Sequence, residues 1–153
     1  MGTAIAAALR PIPIPKLNVL RHDPVAQSFT LLRLTFTIAP ILFGIDKFAE
    51  VMISDWPKYL ASEFNDIIPG SGQDAMYIVG GVEIVAGLVV AFVPRFGGFL
   101  VAAWLAGIIV SLLLVGGYGD IALRDFGLLL AALTLARLAT VFPRGTADPR
   151  HSY

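Results

Sequence analysis

The chain has 153 residues, 57% hydrophobic and 14% charged, with 11 basic and 11 acidic side chains and no cysteine. Soluble domains are about half apolar and about a quarter charged, so this composition, with a mean hydropathy of +0.80, points to a membrane protein. Without cysteine, disulfides, thiolate chemistry and iron–sulfur ligation are excluded; His22 and His151 lie outside every apolar run, so no metal site is expected at depth.

Residues 1–22 read as a cytoplasmic arm. The alternation Pro11-Ile12-Pro13-Ile14-Pro15 favours an extended polyproline segment over a helix. The stretch Ala4 to Leu9 is too short for the core of a signal peptide and has no basic residue before it. Residues 23–143 form the membrane domain, and residues 144–153 a cytoplasmic tail. Asp23-Pro24 is a helix start, with Asp as N-cap and Pro at the first position. Four apolar runs follow at about 24–45, 74–93, 96–115 and 121–142. At 1.5 Å per residue each is about 30 Å long, enough to cross a bilayer. A soluble bundle would need polar outer faces, and the third run has no charge at all. The predicted fold is therefore an all-α, four-helix transmembrane bundle.

Orientation follows from the basic residues. With the N-terminus inside, Arg10, Lys16, Arg21, Arg95, Arg137, Arg144 and Arg150 fall on the cytoplasmic side, against Asp23 and Asp148. The outer segments hold Lys47 and Lys58 against Asp46, Glu50, Asp55, Glu63, Asp66, Asp74 and Asp120. Both ends are thus expected inside. The one long connection, 46–73, is then an outer loop. Phe48, Val51, Met52, Leu60 and Phe64 recur in it at helical spacing, with Trp56 and Tyr59 nearby, as in a short interfacial helix.

Charges within spans cost about 2.5–3.5 kcal/mol each on insertion scales and persist when paired or functional. Counting from the span ends puts Arg33 and Glu83 at a common depth of about 13–15 Å and predicts a salt bridge between them. Arg124 and Asp125 fall near the level of Asp46 and Lys47, which predicts a second cluster, Lys47–Asp125 with Asp46–Arg124. Two readings stay open for these six residues. They lock the bundle together, or three of them, Glu83, Asp125 and Lys47, bound an outward-facing polar pocket for a headgroup, a quinone or a proton. Small residues at Gly80 and Gly87 in the second span, and at Ala103, Gly107 and Ser111 in the third, predict close packing of helices inside the bundle.

In order and spacing, residues 28–142 resemble the DoxX family of small bacterial membrane proteins. The resemblance rests on Leu32-Arg33-Leu34, Gly44-Ile45-Asp46-Lys47-Phe48, Gly80 with Glu83 and Gly87, and Leu123-Arg124-Asp125. Asp46 departs from the family's usual apolar residue, and the arm has no counterpart. The resemblance implies a multi-pass protein of the bacterial plasma membrane. Its expected role is a non-catalytic accessory subunit of a respiratory or other redox membrane complex, with the arm docking on neighbouring subunits. One alternative is a quinone-binding subunit of an oxidoreductase that takes electrons from an external donor, with Glu83 or Asp125 as the protonatable group; another is a small transporter or lipid-handling protein. Quinone or lipid are the ligands these readings name, with no covalent or metal-held cofactor. No basic patch exists for nucleic acid.

Overall fold

The computed structural model describes residues 12, 15–16, 20, 22–53, 55 and 71–141. Among these there are four helices and no strand: α1 (Pro24–Ala49), α2 (Gly72–Phe92), α3 (Pro94–Val115) and α4 (Gly119–Leu138). Asp23 caps α1, its Oδ1 accepting the Val25 N–H at 2.8 Å, with Pro24 in the first turn. The helix runs through Pro40 and ends where Glu50 takes a left-handed conformation, φ 51°. Asp46 holds this stop. Its carboxylate accepts the N–H groups of Val51 (2.9 Å), Met52 (2.7 Å) and Ile53 (3.1 Å), donors the chain would otherwise leave open past the helix.

A capping box opens α2. Ser71 Oγ accepts the Asp74 N–H at 3.2 Å, and Asp74 accepts the Ser71 N–H at 2.8 Å. Only Val93 separates α2 from α3, and Pro94 at the first position of α3 has no N–H to give back. The C-terminal carbonyls of α2 therefore find other donors. The Val93 N–H serves Val89, and the Ile12 N–H reaches Phe92 at 3.3 Å. Arg33 serves Ala91. Gly116 and Gly117, at φ 76° and 80°, turn the chain from α3 into α4.

The helices α1, α2 and α3 are each long and apolar enough to cross a membrane. Only 22%, 39% and 28% of their most apolar stretches are buried inside the bundle. The outward faces carry Leu31, Ile38 and Leu42 on α1, Val85 on α2, and Phe99 and Leu113 on α3. Helices apolar both inward and outward suit a lipid surround; this is the surface of a membrane protein. α4 is 20 residues long and carries Asp120, Arg124, Asp125 and Arg137. Its inner face, with Ala132, Leu135 and Ala136, is fully buried, and its outer face shows Leu123, Phe126 and Leu130.

Two expectations change here. α1 extends past residue 45 and carries Asp46, Lys47 and Phe48 as helix. The chain then breaks at Glu50, so no helix continues from Phe48 through Met52. The rest of the expected interfacial helix, Trp56 to Phe64, lies outside the described residues. Of the arm, Ile12 is buried at 5% exposure and belongs to the core with Phe29, Val90 and Leu135. At that residue the arm docks on its own bundle. The rest of the expected docking arm falls on residues that are mostly outside those described.

Candidate functional site

Glycines set the register of α1 against α2. A Cβ on Gly44 would stand 2.6 Å from the Gly80 carbonyl oxygen, and one on Gly80 2.8 Å from that of Gly44. A Cβ on Gly87 would meet Thr37 O and Ile41 Cγ1 at 2.7 Å. The two backbones therefore touch along a line that only glycine allows. In this register Ala91 lies opposite Arg33, and Glu83 lies level with Ile41. Eight residues, about 12 Å along the axis, separate Arg33 from that level.

The expected Arg33–Glu83 bridge is accordingly not formed. Arg33 is level with the end of α2, because the first two turns of α1 run beyond it. Its Nε donates to the Ala91 carbonyl at 3.2 Å, its Nη2 donates to the same oxygen, and its Cζ stands 5.8 Å from the Phe29 ring centroid. Glu83 pairs instead with Lys47, Nζ to Oε2 at 2.7 Å, with side chains only 4% and 10% exposed. Lys47 lies one and a half turns beyond Ile41, within reach of its long stem. The expected Lys47–Asp125 and Asp46–Arg124 pairs are absent too. Asp46 is spent on the backbone after α1. Asp125, buried at 7%, forms its one ion pair among the described residues with its chain neighbour Arg124, at 3.5 Å, and that arginine side chain is 68% exposed. A pair so placed contributes little.

α3 adds two polar groups that face inward. The Trp104 indole N–H faces the Glu83 carboxylate but lacks hydrogen-bond geometry to any acceptor. Ser111, two turns further along, is buried. The close approach of Gly97 to Val90 puts Trp104 level with Glu83, and that of Gly98 to Ala132 and Ala136 puts Asp125 within about one turn of both. The interior thus has one polar level, with Lys47–Glu83 on the α1–α2 seam, Trp104 facing it from α3 and Asp125 at about the same height on α4. Phe48 and Tyr77, stacked at 5.2 Å, lie next to it along the α1–α2 seam. Among the described residues no group of three or more His, Asp or Glu could hold a metal ion.

The stripe Ala103–Gly107–Ser111 does not pack as a unit. Ala103 and Gly107 are exposed, and a Cβ on Gly107 would meet nothing within 4 Å. α3 packs instead through Gly97, Gly98, Val101 and Ala102, one face round. Trp104 and Ile12 were not singled out in the sequence. A lone tryptophan in an apolar run and an isoleucine between prolines carry no signal of their partners.

Comparison with protein-family models, with curated proteins and with solved structures finds no match.

Proposed function

We propose that this chain is a four-span scaffold of the bacterial plasma membrane, with both ends on the cytoplasmic side. Its role is a non-catalytic accessory subunit of a respiratory or other redox membrane complex, as its resemblance to the DoxX family implies. Four observations support this reading. The outer faces of all four helices are apolar. The basic residues gather at the α2–α3 end and in the flanking segments. α4 matches α2 in length within one residue, and its exposed charges, Asp120, Arg124 and Arg137, lie within its first or last two turns, from where they reach the interface.

The observation that carries the scaffold role is the closed ion pair. Lys47 and Glu83 hold each other at 2.7 Å out of reach of solvent, behind a glycine seam that admits no side chain. An arrangement so filled serves rigidity, and rigid small subunits act by the surfaces they offer. The test is purification from native membranes in mild detergent. Co-migration with a redox complex is expected; migration as a lone monomer or homodimer would sink the proposal.

A second reading has one observation in its favour. Trp104 has a spare donor facing Glu83, and Asp125 offers a weakly paired carboxylate at about the same level on α4, groups that could flank a quinone headgroup. Loss of quinone binding in Glu83→Gln, with assembly intact, would support it. Binding equal to the unaltered chain would remove it.

A further inference from the structure

The turn between α2 and α3 has donors that the fold leaves unused. Arg33 is buried at 9% exposure, and no carboxylate stands within ion-pair distance of it among the described residues. Its Nε and Nη2 are taken by the Ala91 carbonyl. Its Nη1 is wholly buried and has no partner. A guanidinium in this condition is costly, because one neutral carbonyl and an aromatic face replace a hydration shell only in part.

Ala91 is three residues before Pro94, and the approach of Gly97 to Val90 puts the carbonyl that holds the guanidinium level with the first turn of α3. That start is uncapped: Val93 supplies no side-chain hydrogen bond, and the first turn has no acid. The Gly97 N–H bonds back to Val93, but the N–H groups of Arg95 and Phe96 have no acceptor among the described residues. Arg95, half-buried, brings a second positive charge to the same turn. The carbonyls of Ala91 and Phe92, which would repel an anion, are already covered by Arg33 and Ile12.

We propose that this turn binds a phosphate group, gripped by Arg33, Arg95 and the open N–H groups at the start of α3. A helix N-terminus with two arginines at its level suits a tetrahedral oxyanion in charge. Both α2 and α3 are long enough to cross the membrane and both end here, which places the turn at headgroup level. An anionic phospholipid is therefore the nearest source of such a group, and free phosphate is the other. The inference rests on the membrane placement of the helices and not on the redox role.

The full chain in detergent would be titrated with dioctanoyl phosphatidylglycerol, dioctanoyl phosphatidylcholine and inorganic phosphate, with bound species counted by native mass spectrometry. Phosphatidylglycerol is expected to bind in preference to phosphatidylcholine. Arg33→Gln, which can still donate to Ala91, is expected to weaken it about tenfold, the loss of one charge-assisted hydrogen bond. Arg95→Gln, which leaves the interior untouched, should weaken it as well. Arg137→Gln, a change of equal charge on an exposed residue, should not. Displacement of the lipid by inorganic phosphate would support the site and assign it to a soluble source; lipid binding without displacement would support it and assign it to the headgroup. Equal affinity for the two lipids would overturn the proposal. So would unchanged binding in both Arg33→Gln and Arg95→Gln.

Discussion

Burying a lysine and a glutamate together costs several kcal/mol of lost hydration per ion, and their attraction recovers this only at short, well-aligned contact. Lys47 and Glu83 meet that condition at 2.7 Å. Removing one partner should then hurt far more than removing both. Glu83→Ala is expected to destabilise the bundle by about 3–5 kcal/mol, and adding Lys47→Met should recover most of that loss. Reversible unfolding in mixed micelles would measure both; a double variant as unstable as the sum of two single losses would contradict the latch. The burial of Glu83 was legible in the sequence, since a carboxylate in the middle of an apolar run can only face inward or find a partner. Its partner was not. Depths counted from span ends made Arg33 the natural mate. That count assumed α1 and α2 begin and end level, whereas α1 overhangs α2 by about two turns, and the overhang carries Arg33 up to the open carbonyl of Ala91.

Register is a property of the element, and here glycines decide it. Side chains at Gly44, Gly80 or Gly87 would collide with backbone across the seam at 2.6–2.8 Å. Gly44→Ala is therefore expected to cost about 1–3 kcal/mol through overpacking. Gly107→Ala, whose Cβ would meet nothing within 4 Å, should be neutral or stabilise α3 by up to about 1 kcal/mol through helix propensity. Equal effects of the two, read by the same unfolding assay, would mean that the seam does not set the packing. The sequence showed small residues on both helices but not which of them faced a neighbour, because the helical wheel fixes relative angles and not absolute rotation. The same limit hid Ile12. Prolines around it point to an extended segment, and nothing local names Phe92 as the partner of its N–H. Ile12→Ala should lower stability by about 2–5 kcal/mol, the usual cost of truncating a core isoleucine; no change would show that the arm adds nothing to the core.

At the scale of the molecule, the lipid-facing surface and the number of helices were the most readable features, because twenty-residue apolar runs have few other uses. The end of α1 was read least well: Asp46, which looked like a member of an intramembrane cluster, instead ends α1 by binding three backbone N–H groups. Such a role depends on where the chain turns, which spacing does not reveal. Four crossings remain the central proposal, and α4, with its four charged residues, is the helix on which it depends. The chain has no native cysteine, so single cysteines report without background. Membrane-impermeant maleimide should label Asp120→Cys in intact cells, and should label Thr3→Cys and Ser152→Cys only after the membrane is opened. Labelling of Ser152→Cys from outside, together with Asp120→Cys, would show that α4 does not cross and would contradict the four-span bundle.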